Sequence, residues 1–143
     1  MEELKQSTTG FQVGGLGEIA IRCRDLPAMR AFYEQVLCLN VLSVRGPHLV
    51  FYRLGDGVAG HQQVLALFAS DGPDVATGAG SSLHHIALGV TMAEQARAEA
   101  HYTAVGQSFR YEDFEWTGWR GLFTTDPEGN SVELVAKVKE PAV

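Results

Sequence analysis

The stretches EIAI at residues 18–21 and HIAL at residues 85–88 lie 67 positions apart, and the same offset lays VLALFA (64–69) over SVELVA (131–136). One offset that holds at both ends marks a duplicated module, because no net insertion separates its first strand from its last. Within the first stretch Ile19, Ile21 and Cys23 fall on one side and Glu18, Ala20 and Arg22 on the other, the alternation of a strand with one apolar face.

Working outward from residue 18, Asp25 is placed to cap a helix and Pro27 suits its first turn, where no N–H is needed. Met29, Phe32, Tyr33, Val36 and Leu37 then recur at the spacing of one helical face. Runs at 41–44, 49–54 and 64–69, separated by RGPH and GDGVAGH, read as three further strands. No helix start follows GDGVAGH to aim N–H groups at a phosphate, so it reads as a hairpin loop.

SDGPDVATGAGSS (70–82) has the composition of a linker, and a second strand opens in LHHIALGV after it. Thr91 and Glu94 form a T-x-x-E capping pattern for a helix that runs to about Val105 before Gly106. Strands follow near 108–112, 119–124 and 131–135. The order β, α, β, β, β, met twice, predicts an α+β fold of two tandem βαβββ modules forming a cupped mixed sheet around a cleft. The boundaries read as an N-terminal arm at 1–13, a first module at 14–70, a linker at 71–82, a second module at 83–138 and a tail at 139–143.

A chain of 143 residues, 45% apolar, can bury a core without staples. Its net charge of −6 and scattered Lys and Arg argue against nucleic-acid and membrane partners, leaving a small molecule as the expected partner. The start MEELKQSTTG has acids where a secretory signal has a basic end, which predicts a cytoplasmic protein. Cys23 and Cys38 show no paired or metal-binding spacing and read as reduced, packing thiols.

The repeat makes Glu18 equivalent to His85 on the opening strands and Ala66 equivalent to Glu133 on the closing strands. Three of these four are metal-ligand types. Alternation places Glu18, His85 and Glu133 opposite the apolar faces that cover the helices, hence on the concave side. Two carboxylates and an imidazole offer donors for one divalent metal ion per site, with positions left open for substrate or water. Glu18 and Glu133 are also the candidate catalytic groups.

By the same alternation His84 turns to the opposite face from His85, and His48, His61 and His101 lack partner spacing and read as surface residues. Arg22 shares the face of Glu18 and reads as a rim salt-bridge residue or a contact for an anionic substrate. Tyr52 and Trp119 are also 67 positions apart; facing inward as a symmetric pair they would form aromatic walls for a ligand, and packing in the core is the equal alternative.

EIAIRCRDLPAMRAFYEQVL, LHHIALGV and TTDPEGNSVELV together resemble the vicinal oxygen chelate superfamily, which includes glyoxalase I, extradiol dioxygenases, fosfomycin-resistance enzymes and bleomycin-resistance proteins. The resemblance spans about residues 15–138, and DPEGNSVEL (126–134) carries it most strongly. It implies the fold of that group and metal positions at Glu18, His85 and Glu133, with Ala66 at the optional fourth. In that group His is commoner where Glu18 stands. The resemblance further implies a metal-dependent lyase, isomerase or dioxygenase acting on a small oxygenated substrate, as a homodimer. The alternative is a metal-free drug-sequestering protein of the bleomycin-resistance type.

Overall fold

The computed structural model describes residues 10–70 and 78–140. Parts of the arm, linker and tail read from the sequence (1–9, 71–77 and 141–143) lie outside the described residues. The first module consists of β1 (Glu18–Cys23), α1 (Leu26–Ala31), β2 (Asn40–Arg45), β3 (Leu49–Val58) and β4 (His61–Ala69). The second consists of β5 (Ile86–Gly89), α2 (Met92–Val105), β6 (Arg110–Phe114), β7 (Trp119–Thr125) and β8 (Ser131–Lys137).

Each module forms its own four-stranded mixed sheet, ordered β1-β4-β3-β2 and β5-β8-β7-β6. In both, the first strand runs parallel to the last, with Ala20 opposite Ala66 and Ala87 opposite Glu133. A parallel neighbour requires a crossover, and α1 and α2 supply it. Among the described residues, β1 and β5 are edge strands, each with one strand neighbour.

α1 starts as the sequence predicts, with the Asp25 side chain accepting from Ala28 N at 3.1 Å and Pro27 in the first turn. The helix does not continue in α form, because Phe32–Val36 is a π-helical segment closed by Leu37 N donating to Phe32 O at 2.9 Å. The wider turn still buries Phe32 and Tyr33 and leaves Cys38 in the left-handed region, with φ 59°. α2 is capped by Thr91 and stopped by Gly106 in the left-handed conformation, φ 75°. Gln95, buried on α2, fixes the helix to its sheet by donating to the carbonyls of Arg120 and Leu134, both at 2.9 Å.

The main core joins α1 and the π segment (Met29, Phe32, Tyr33) to the helix-facing side of the first sheet (Val50, Tyr52, Leu65, Leu67), and takes in Ile86 and Val132 of the second module. A smaller cluster of Tyr102, Leu122 and Leu134 lies under α2. GDGVAGH is the β3–β4 hairpin. A side chain at Gly57 would put its Cβ within 2.0 Å of His61 O at φ 71°, so only glycine fits that corner. No helix among the described residues is long and apolar enough to cross a membrane.

The loop between β7 and β8 ties the two modules together. Both carboxylate oxygens of Glu128 accept backbone N–H groups, from Arg24 and Asp25, at 2.9 Å. The DPEGN segment is thus a clamp on the start of α1 as well as the turn into β8.

Candidate metal centre

Glu133 lies in the middle of β8, opposite Ala87 of β5 and Phe123 of β7, on the face turned away from α2. Its neighbours Val132 and Leu134 take the helix-facing side, as the alternation predicts. His85 precedes β5 and turns its ring toward the same point, with Nε2 at 3.3 Å from Glu133 Oε1. Glu133 is 4% exposed while the His85 ring stays partly open, so the pair has one buried and one accessible member. Burial is the main force pushing the Glu133 carboxyl above the ordinary carboxylate range, with His85 and Arg110 opposing the rise and Glu112 adding to it.

Space for that carboxylate is kept by Gly121. A Cβ there would lie 2.3 Å from Glu133 Oε2 and 2.6 Å from Phe123 Cε2, although the backbone at this residue is not left-handed. A glycine inside a strand marks a close approach, and that sequence signal was available. The Phe123 ring lies beside His85, centroids 6.1 Å apart, and the Arg110 guanidinium lies over the Phe123 ring, 4.4 Å from its centroid. Arg110 also pairs with Glu112 at 2.7 Å. Sequence reasoning did not find Arg110 or Glu112, because only the β6–β7–β8 register brings them near Glu133.

His84 is not turned away from His85. Both residues precede β5, so strand alternation does not govern them, and their Nδ1 atoms are 2.8 Å apart. One of the two must donate to the other. When His85 Nδ1–H is the donor, its Nε2 lone pair is left free on the side of Glu133.

Glu18, exposed on β1, has Val64 as its cross-strand partner and shares its face with Ala20 and Arg22. It does not join His85 and Glu133 within one chain, and among the described residues no three His, Cys, Asp or Glu side chains gather where they could hold a metal. Arg22 is exposed at the far end of the Glu18 face, beside Phe68.

Tyr52 corrects the expectation of an aromatic pair. It is fully buried in the core, stacked on Tyr33 at 6.3 Å, and its hydroxyl donates to Glu34 at 2.8 Å. The offset of 67 does not hold for β3 and β7. Tyr52 lies opposite Leu65 and Thr124 opposite Val132, and since 132 − 65 = 67, the counterpart of Tyr52 is Thr124. Trp119 is unrelated to Tyr52; its register with Lys137 puts it on the face of Glu133, 46% exposed at the sheet end.

Residues 15–134 match the model of the Glyoxalase/Bleomycin resistance protein/Dioxygenase superfamily. Among solved structures, the chain is similar to a lactoylglutathione lyase from Agrobacterium tumefaciens, with 25% identity, TM-score 0.67 and coverage of 87% of this chain and 94% of that one. A glyoxalase/dioxygenase from Nostoc punctiforme matches at 18% identity and TM-score 0.70, covering 93% and 100%. The fosfomycin resistance protein FosX from Mesorhizobium loti matches at 21% and 0.62, covering 87% and 93%. Comparison with curated protein sequences gives no significant match.

Proposed function

The chain belongs to the glyoxalase/bleomycin resistance protein/dioxygenase superfamily, and on that premise we propose that it is a divalent-metal-dependent enzyme of lyase, isomerase or dioxygenase type. Its substrate would be a small organic molecule chelated through neighbouring oxygens. The observation that carries this reading is the convergence of His85 Nε2 and Glu133 Oε1 at 3.3 Å, with Gly121 keeping room for the carboxylate.

One imidazole and one carboxylate are a partial donor set for a hard or borderline cation. A third ligand is needed. Among the described residues, β1 and β5, the strands that carry or follow Glu18 and His85, both present an edge without a second strand neighbour. Twofold pairing of two chains through these edges would satisfy their free backbone groups and bring Glu18 of one chain beside His85 and Glu133 of the other. The proposed assembly is therefore a homodimer with two shared sites.

When bound, a divalent ion would act there as a Lewis acid on substrate oxygens. His85 and Glu133 would hold it, and His84 would fix the ring of His85. Glu18 would be the third ligand or, detached, a base placed to take a proton from the substrate. Arg110 offers a positive charge near Glu133 to an anionic oxygen, and the Phe123 ring keeps water from one side of the pair. Arg22 and Trp119 are proposed substrate contacts on the two faces.

Metal analysis of protein purified without chelator tests the reading. About one equivalent per chain in the wild type and its loss in Glu133→Gln are expected. A wild-type chain that retains no metal would instead favour a ligand-sequestering module that works without one.

A further inference from the structure

Among the described residues, the two most exposed large apolar side chains belong to the segment that leads into β1: Phe11 is 83% exposed and Val13 80%. The segment is held in place without them. Gly17 O accepts from Val64 N at 2.9 Å, which carries the β1–β4 ladder beyond Glu18. Gly14 and Gly15 lie against Val58 of the β3–β4 hairpin, where a Cβ on Gly14 would stand 3.2 Å from Val58 Cγ2.

A groove of about 510 Å³ runs along the open edge of β5, between the π segment and α2. Leu54, Leu88, Val90 and Leu134 are among its apolar walls, and Cys38 lines it as well, exposed where the sequence reading has a packed thiol. Phe11 and Val13 of the same chain take no part in that lining.

The homodimer proposed above, on which the following docking rests, decides where the arm goes. Seen from the concave face, each module carries its edge strand on the same side and running the same way, because the two sheets have the same order and the same strand directions. Glu18 and His85 must both face the shared ion, so neither sheet can be turned over. Edge can then meet edge only after a half turn within the plane, and β1 of one chain runs antiparallel to β5 of the other. With Glu18 beside His85 of the other chain, the residues before Glu18 run toward the end of that β5. Extended chain advances about 3.3 Å per residue, so the five residues back to Val13 cover about 16 Å, enough to clear the four residues of β5.

We propose that the arm of each chain docks through Phe11 and Val13 in this groove of a second copy, passing Val90 and the half-exposed Met92 at the start of α2. Twofold symmetry makes the contact twice. Each contact takes out of water both the arm side chains and the groove walls that an isolated chain leaves exposed.

The first test cross-links full-length Phe11→Cys protein at micromolar concentration with a short bismaleimide. Cys38 is the accessible native thiol, since Cys23 is fully buried. A docked arm holds position 11 near Cys38 of the other chain at an effective concentration far above that of free collision. Covalent dimers should therefore form at least about tenfold faster than with Glu115→Cys, an exposed position on the β6–β7 turn, and should be lost when Cys38→Ser is added. The second test is sedimentation velocity of the double variant Phe11→Ser, Val13→Ser. Its dimer dissociation constant should rise by about a hundredfold or more, because both arms return their apolar side chains to water. In a chain that still dimerises, absence of the cross-link or an unchanged dissociation constant overturns the docked arm and leaves the shared metal site standing. A wild type that stays monomeric at every concentration overturns both.

Discussion

The Tyr33 hydroxyl donates to Asp126 Oδ2 at 2.8 Å, a buried bond between the π segment of the first module and the β7–β8 loop of the second. Asp126 also accepts from Asn130 Nδ2 at 2.8 Å and, through Oδ1, from the backbone N–H groups of Glu128 and Asn130 at 2.9 and 3.0 Å. A buried carboxylate is tolerated because four donors surround it. The same loop sends Glu128 to the start of α1, so the modules are held together by acids that the alternation of β8 does not reveal.

Tyr33→Phe removes one donor from that buried charge and leaves the ring packing intact. Stability to urea should fall by about 1.5–3 kcal/mol, the range for a hydrogen bond to a charged group. An unchanged unfolding midpoint would show that the inter-module bond contributes nothing.

Gly121→Ala places a methyl group against the Glu133 carboxylate and the Phe123 ring. The expected result is a folded protein, by circular dichroism, with metal retention reduced because the Glu133 carboxylate must shift. Normal metal content in a folded Gly121→Ala chain would mean that Glu133 does not need its present position.

Burial pushes the Cys23 thiol up to about 12 from an ordinary value of 9.0, with Glu128 and Asp126 adding to the rise. A folded-state value above the unfolded one means that the unfolded chain releases its proton first as pH rises. The stability this thiol contributes is therefore complete below about pH 9 and is lost between there and pH 12, in the window set by those two values. Tyr33, Tyr52 and Tyr102 are raised by burial as well and act in the same direction. Thermal midpoints measured from pH 8 to 11 should fall steadily, and Cys23→Ala should lessen the slope. A flat profile would contradict the placement of the thiol.

The repeat was legible in the sequence where the two ladders are continuous. β1 and β5, and β4 and β8, keep one offset, so the faces of Glu18 and Glu133 follow from alternation alone. Between them the loops differ in length: β3 ends in bulges near Gly55, and β7 ends in the acidic clamp. Two compensating changes leave no net insertion, yet they move Tyr52 and Trp119 out of correspondence. His84 misled for a related reason, since alternation stops where hydrogen bonding to β8 stops. The π segment could not be read either, because one turn of apolar residues three and four apart fits α and π geometry alike. Arg110 and Glu112 come near Glu133 only through the β6–β7–β8 register, which no single stretch encodes.

The central claim is that a divalent ion is held by His85 and Glu133 of one chain together with Glu18 of another. Its most direct measurement is the metal content of mixed dimers carrying Glu18→Ala in one chain and Glu133→Gln in the other, co-expressed with two affinity tags and purified through both. A shared site leaves one of the two centres in each mixed dimer intact, so about half of the wild-type metal per chain is expected, while each variant alone holds little. Mixed dimers as empty as the separate variants, or a wild-type protein without stoichiometric metal, would contradict the account.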